Sequence, residues 1–169
     1  AVGTLGALDR ITLEILRALE RGPVHVVWFF DQSGSMQIQR TAVRDRFDQV
    51  YEQLGLSTST DPTPGVRKPL LTTVVAFGKE VTFRTPQPTD DLEAIKAAVD
   101  GIENDDSGIE MTFTAVGMAA EKFEALRLQK PRRQTLMVLF TDEVGEDENR
   151  LEDCVTVCKR YQMPVYVAG

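Results

Sequence analysis

One short segment of the chain brings together side chains that could bind a hard metal ion. Asp31, Ser33 and Ser35 alternate along Asp31-Gln32-Ser33-Gly34-Ser35 and supply one carboxylate and two hydroxyls. Such oxygen donors suit Mg²⁺, with Mn²⁺ or Ca²⁺ as alternatives, rather than zinc. Because Mg²⁺ gives up its waters reluctantly, one coordination position would stay open. Helix capping is the simpler explanation, but it does not require three oxygens at alternate positions.

The residues before this segment predict a buried strand that would position it. Residues 25–30, His-Val-Val-Trp-Phe-Phe, form a bulky run without polar alternation, which is typical of a central parallel strand covered on both faces. Ligands of open α/β sheets collect where such strands end. We therefore expect the chemistry around Asp31, with Trp28 in the core and His25 at the strand start with one edge in water.

Hydrophobic periodicity and turn residues predict alternating helices and strands along the rest of the chain. Apolar residues between positions 8 and 19 recur at helical spacing before Gly22-Pro23, and residues 57–65 have the composition of a surface loop. Further helices are predicted at 38–54, from a cap at Thr89 or Asp90 to 99, at 114–128 and at 148–161. Strands are predicted at 70–77, 81–85, 136–140 and 165–168. The Gly78-Lys79 turn indicates a hairpin, so one edge strand should be antiparallel in a mostly parallel α/β sheet.

Length and composition fit one domain, with an N-terminal helix in residues 1–22 and a core in 24–169. The net charge of −7 and the lack of a basic face argue against nucleic acid as a partner. No apolar window is long enough for a membrane span, and the N-terminus lacks the order of a signal peptide. Because the chain ends on a predicted strand, we expect the protein to continue past Gly169.

Two cysteines lie four residues apart in the last predicted helix. Cys154 and Cys158 would share one helix face. Without further cysteines or a nearby histidine they make an incomplete zinc site, so two buried core thiols are favoured over a metal pair. They do not define a compartment.

Oxygen ligands recur at the predicted end of a second buried strand and ahead of a helix. Thr112 or Thr114 precedes the helix, and Asp142 follows residues 136–141. With the Asp31 segment, these pieces give the chain a strong resemblance to the von Willebrand factor type A domain from about Val24 to Gly169. That family's metal-ion-dependent adhesion site takes an Asp-x-Ser-x-Ser loop, a later Thr and an Asp after a hydrophobic strand, in this chain order. The resemblance implies a three-layer, Rossmann-like fold with helices on both faces.

Carried over by position, the resemblance assigns the metal ligands, which are Asp31, Ser33, Ser35, Thr114 and Asp142. Thr114 is preferred over Thr112 because its offset to the small-residue stretch 115–120 resembles the family's Thr-x-x-x-x-Ala-Leu. Glu143 stands where the family often has Gly, and adds a carboxylate near the site. The family's sheet commonly has a sixth strand and a final helix that are absent from this sequence.

Enzymatic alternatives fit less well. A Mg²⁺-dependent phosphotransferase of the haloacid dehalogenase type would need a general acid where Ser33 stands, and a hydroxyl does not readily perform that role at neutral pH. A serine hydrolase would need a base, and His25 lies at the opposite end of its strand from Asp31. A phosphate loop of the Gly-x-x-x-x-Gly-Lys type is missing.

The resemblance therefore implies binding, with the open metal position filled by an Asp or Glu carboxylate of a protein partner. Adhesion or assembly is favoured, and an adaptor for an ATP-driven chaperone or chelatase is the alternative. An exported or cell-surface location is weakly favoured over a cytoplasmic one. Acidic residues should rim the metal from two loops, which would select a carboxylate flanked by Lys or Arg; ordinary solvation of exposed loops explains them equally well. The acidic positions are Asp100, Glu103, Asp105, Asp106, Glu110, Glu143, Glu146, Asp147 and Glu148.

Overall fold

The computed structural model describes residues 2–55, 69–142, 145 and 147–168, so the predicted loop at 57–65 lies outside the described part. Helices and strands alternate along it. The helices are α1 (Val2–Arg21), α2 (Gln37–Gln53), α3 (Leu92–Asp100), α4 (Thr112–Arg127) and α5 (Leu151–Arg160). The strands are β1 (Val24–Asp31), β2 (Leu70–Phe77), β3 (Val81–Phe83), β4 (Gln134–Phe140) and β5 (Val165–Ala168).

The five strands of the described residues form one mixed sheet with β1 at its centre. Their order is β3-β2-β1-β4-β5, and only β3 runs antiparallel to its neighbour. Asp31 pairs with Phe77 of β2, while Phe30 pairs with Phe140 of β4. The carboxyl ends of the three central strands therefore meet at one edge, as predicted for a mostly parallel α/β sheet.

Each face of the sheet buries a separate apolar layer, because successive strand residues point to opposite faces. On β1, Trp28 and Phe30 pack with residues of α1, α2 and α3. Val27 and Phe29 pack with residues of α4 and α5. This division explains why the β1 sequence does not alternate, and it confirms the three-layer architecture.

Two predicted helix starts were wrong. The cap of α3 is Asp91, whose Oδ1 accepts from the amides of Glu93 and Ala94, rather than Thr89 or Asp90. Helix α4 begins at Thr112, two residues before the predicted start. A short 3₁₀ turn at Glu148–Arg150 occupies the first three residues of the last predicted helix, so α5 itself begins at Leu151. The other predicted boundaries differ by at most two residues.

His25 has no wet edge, contrary to the prediction. Its side chain is fully buried at the start of β1, its Nε2 lies 2.7 Å from the Thr73 hydroxyl, and its ring stacks edge-on against Phe123. Burial lowers the pKa of His25 to about 3, and the nearby Arg133 acts in the same direction. A neutral, enclosed imidazole at this end of the strand cannot serve Ser33 or Ser35 as a base.

Candidate metal centre

Asp31 anchors a compact set of oxygen atoms at the carboxyl end of β1. Its side chain is 0% exposed, and both carboxylate oxygens accept hydrogen bonds. Oδ1 accepts from the backbone N–H of Ser33 at 2.8 Å and from the Ser33 hydroxyl at 2.7 Å. Oδ2 accepts from the Thr141 hydroxyl at 2.7 Å. These bonds fix the orientation of a buried carboxylate that would otherwise be costly.

The oxygen set continues outward and joins two loops. The hydroxyls of Ser33 and Ser35 are 3.3 Å apart, and the Ser35 hydroxyl donates to Oδ2 of Asp142 at 3.0 Å. Ser35 and Asp142 are exposed, while Ser33 is half-buried. The predicted residues Asp31, Ser33, Ser35 and Asp142 therefore lie together. Asp31 is at the buried end of the group, and Ser35 and Asp142 are at the end open to solvent.

The serines do not act as helix caps. Ser33 precedes the short 3₁₀ turn at Gly34–Met36, and its side chain makes no capping hydrogen bond there. Helix α2 follows from Met36, which has no capping side chain. The hydroxyls are thus directed at the two carboxylates, and the capping alternative loses its support.

Arg40 holds the backbone of this loop from below. Its guanidinium is 5% exposed and donates to the carbonyl oxygens of Asp31 at 2.7 Å and Ser33 at 3.1 Å. It also donates to the side-chain oxygen of Asn104. The side-chain nitrogen of Asn104 in turn donates to the side-chain oxygen of Gln37 at 3.0 Å. Burial lowers the pKa of Arg40, while the Asp31 charge opposes that shift.

The two candidate threonines occupy different positions on α4. Thr112 is 2% exposed and packs against Gly145 in the loop that follows Asp142; a Cβ at Gly145 would lie 2.7 Å from the Thr112 hydroxyl oxygen. Thr114 lines a surface groove between α4 and α5. Each hydroxyl is buried without a hydrogen-bond partner among the described residues. The geometry favours Thr112 as the residue beside the Asp142 loop, and the choice of Thr114 remains a prediction.

Asp147 fastens the Asp142 loop to the start of α4. It is 4% exposed, and its carboxylate accepts from the backbone N–H groups of Phe113 at 3.2 Å and Thr114 at 2.6 Å. These amides are among those that a helix start leaves unpaired, and a carboxylate there also meets the positive end of the helix dipole. Asp147 thereby fixes the helix start that carries Thr112.

The predicted acidic rim was only partly right. Asp147 points inward and Glu110 is buried, so neither forms part of an exposed rim. Asp100 pairs with Arg44 on α2. A hydrogen bond from the Ser107 side chain, followed by those from the backbone N–H groups of Lys79 and Ser107, lowers the pKa of Asp105. Besides Asp100, the exposed acids of the predicted rim are Glu103, Asp106 and Glu148, whereas Glu143 and Glu146 lie outside the described residues.

The sequence prediction missed Arg40 and Thr141 at the site, and it counted Asp147 only among the acidic residues of the rim. Arg40 falls in register with buried Met36, Val43 and Phe47, so a charge on the apolar stripe of a helix was the available signal. Thr141 directly precedes Asp142 at the strand end, a weaker signal. No sequence signal indicated that Asp147 caps α4, because that helix begins 35 residues earlier in the chain.

The donor chemistry fits a hard divalent cation. The grouped side chains offer carboxylate and hydroxyl oxygens, and Thr112 adds a buried hydroxyl that has no partner within the described part of the chain. Within the described ranges, His, Cys, Asp and Glu do not form any cluster of three that could hold a metal. Any ion would therefore depend on hydroxyls and water as well as carboxylates, which is the ligand set that Mg²⁺ accepts.

Comparison with known proteins places this geometry in a family. The model for the von Willebrand factor type A domain matches residues 25–169. Proximal thread matrix protein 1 from the mussel byssus has a TM-score of 0.62 at 21% identity, covering 86% of this chain and 37% of that one. A structure of that protein with a zinc-occupied MIDAS motif has a TM-score of 0.60 at 18% identity, covering 86% of this chain and 37% of that one. BatB from Bacteroides thetaiotaomicron has a TM-score of 0.60 at 14% identity, covering 85% of this chain and 65% of that one.

At these identities the solved structures establish a shared fold. The chain spans little more than a third of the mussel protein, at 37% of its length. No curated protein matches the sequence significantly. In the described part of the chain, no helix is long and apolar enough to cross a membrane.

Proposed function

Because the chain belongs to the von Willebrand factor type A domain family, we propose that it is a protein-binding module that engages its partner through a divalent metal ion. The observation that carries the proposal is the hydrogen bond from Ser35 to Asp142. It joins the loops after β1 and β4 into one oxygen cluster. Asp31 and Ser33 continue that cluster inward.

The proposed ligand set consists of Asp31, Ser33, Ser35, Asp142 and one threonine at the start of α4. Contact with the Asp142 loop supports Thr112, and the sequence offset supports Thr114. When bound, Mg²⁺ would supply a positive charge and an open coordination position for an anionic group. The buried carboxylate of Asp31 would then have a counter-charge in addition to its hydroxyl donors.

The exposure of the outer oxygens supports a macromolecular ligand. Ser35 and Asp142 face solvent, so a side chain from another protein can reach them. A partner carboxylate from Asp or Glu is the group that would complete the metal's coordination. Three exposed acids on neighbouring loops favour basic residues beside that carboxylate; they are Glu103, Asp106 and Glu148. Binding should weaken as salt rises, because exposed charges are screened over about 8–10 Å near physiological ionic strength.

The environment of Asp31 favours binding over catalysis. A phosphotransferase of the haloacid dehalogenase type needs a general acid where this chain has Ser33, whose hydroxyl is a poor acid at neutral pH and donates to Asp31 itself. The alternative of an adaptor for an ATP-driven chaperone or chelatase would use the same surface. An exported location is weakly supported by structural neighbours in the mussel byssus and in a pilus tip of Porphyromonas gingivalis. The pilus tip protein has a TM-score of 0.55 at 17% identity, covering 73% of this chain and 20% of that one.

The proposal is tested by calorimetric titration of the metal-free chain with Mn²⁺ and Mg²⁺. We expect one site per chain in the parent, loss of that site in Asp31→Ala and Asp142→Ala, and weaker binding in Ser35→Ala. Asp153→Ala is the matched control, because it removes an exposed carboxylate from α5. Equal binding by the parent and Asp142→Ala would contradict the proposed ligand set.

The partner is tested separately by affinity capture with and without chelator. A protein that binds through the metal should be captured in Mg²⁺ and lost in chelator and in Asp31→Ala. Recognition through another surface would leave capture unchanged by both treatments.

A further inference from the structure

A second group of ligand atoms lies away from the oxygen cluster, in an apolar groove beside α5 and β5. The groove has a volume of about 560 Å³, and its lining includes the sulfur-containing residues Cys154, Cys158 and Met163. Both cysteines are free, and all three residues are almost fully buried. The metal-dependent proposal above does not use them.

The local structure brings these sulfur residues to one side. Cys154 and Cys158 are one helical turn apart, where side chains on the same face are neighbours. The chain then leaves α5, and the N–H of Met163 donates to the carbonyl of Cys158 at 2.9 Å. This bond ties the segment after the helix to the last turn, so Met163 borders the same groove.

The two thiols interact directly. Their mutual hydrogen bond, together with burial, raises the pKa of Cys154. The same hydrogen bond lowers the pKa of Cys158, so this thiol loses its proton first.

From the three sulfur residues that share this groove, we propose that Cys154, Cys158 and Met163 form a site for a soft monovalent metal ion, with Cu⁺ as the fitting ion. Thiolate and thioether ligands favour Cu⁺, zinc and iron–sulfur clusters, and the clusters require four cysteines. Zinc needs four ligands, and the described residues provide no cluster of three His, Cys, Asp or Glu around the pair. The apolar walls, which include Leu139 and Val155, exclude competing water ligands.

The binding step is balanced without an oxidant. One Cu⁺ forms two bonds to sulfur as two thiols release their protons to solvent, and neither copper nor sulfur changes oxidation state. The thioether of Met163 adds a third bond without a proton. The resulting site carries one negative charge, and Lys159, which borders the groove, supplies a nearby positive charge.

A disulfide fits the same pair less well. Residues at this helical spacing have Cβ atoms about 5–6 Å apart. A disulfide brings its Cβ atoms to about 3.5–4.5 Å. Closing the bond would distort α5, whereas a bridging metal ion spans the wider gap.

The test is an anaerobic titration of the reduced chain with Cu⁺ delivered as its bicinchoninate complex, with free thiols counted beforehand. We expect one Cu⁺ per chain, and Cys154→Ser or Cys158→Ser should lower the affinity by more than the ~10–100-fold typical of a lost outer-shell partner. Met163→Leu should cause a smaller loss. X-ray absorption should show sulfur ligands.

Two matched controls separate the site from general thioether or helix effects. Glu152→Ser places the same new residue at an exposed position of α5 that does not line the groove, and Met118→Leu removes an exposed methionine from α4; both should bind Cu⁺ like the parent. The proposal is overturned if the parent with two free thiols leaves Cu⁺ with bicinchoninate, or if Cys154→Ser/Cys158→Ser binds equally well. Because Mg²⁺ binding is measured independently, failure here leaves the proposed oxygen site unaffected.

Discussion

Asp147 offers a quantitative test of how the two metal-bearing segments are held together. Asp147→Ala removes the acceptor of two backbone hydrogen bonds at the start of α4, at 3.2 and 2.6 Å. Loss of a helix cap costs about 1 kcal/mol and up to about 2 kcal/mol. Leaving amides unpaired at a buried helix end adds to this, so we expect about 2–3 kcal/mol of lost stability. For a chain of this size, that is a fall in melting temperature of roughly 4–12 °C.

Urea denaturation at neutral pH measures this effect. Asp147→Asn keeps one acceptor oxygen but loses one of the two hydrogen bonds and the charge beside the helix dipole, so its loss should be smaller than that of Asp147→Ala, about 1–2 kcal/mol. Asp153→Ala is the control, since its side chain is 78% exposed, and the loss of a charge in the first turn of α5 should cost no more than about 0.5 kcal/mol. If Asp147→Ala unfolds at the same urea concentration as Asp153→Ala, the tether between the Asp142 loop and α4 is not structural.

Three further predictions concern Arg40, the threonine ligand at the start of α4 and the pH dependence of stability. Arg40→Met should cost about 1–3 kcal/mol by leaving buried carbonyls unpaired and should weaken Mn²⁺ binding in calorimetry. Arg44→Met removes a cation from the same helix, where it pairs with the exposed Asp100; it should cost clearly less and leave Mn²⁺ binding unchanged, and equal effects of the two variants would contradict the role of Arg40 in holding the loop. Thr112→Ala should lower Mn²⁺ affinity roughly tenfold or more, while Thr114→Ala should have little effect. The reverse result would support Thr114, the ligand chosen from the sequence offset. Because folded His25 stays neutral down to about pH 3, the unfolded chain alone gains its proton below about pH 6.5, and stability should fall by about 1.4 kcal/mol per pH unit between these values. His25→Gln should remove that part of the slope in denaturation measured at several pH values, and an unchanged slope would contradict it.

The sequence predicted the elements whose signals are local. The unbroken apolar run of β1 identified a central strand, and alternate oxygens after it identified the first loop of the site. Asp142 could be placed because it follows a second apolar strand, and parallel strands bring their carboxyl ends to one edge. Four of the five predicted ligands are consequently grouped as the topology requires.

The sequence could not predict features that depend on distant residues. The start of α4 was misplaced because its capping carboxylate, Asp147, comes from the loop after Asp142 rather than from Met111, the residue before the helix. Acidic residues near the site resembled a uniform rim, although folding buries Glu110 and uses Asp147 as a cap. Likewise, the burial of His25 follows from packing by α4, through Phe123, and not from its position at a strand start.

The most direct test of the central claim is the melting temperature of the chain in saturating Mg²⁺ and in chelator. An ion that binds only the folded state adds about 2.7 kcal/mol at a hundred times its dissociation constant. For a chain of this length the parent should therefore melt roughly 5–11 °C higher in Mg²⁺, and Asp31→Ala and Asp142→Ala should show no such gain. A parent melting temperature that is the same in saturating Mg²⁺ and in chelator would contradict the account.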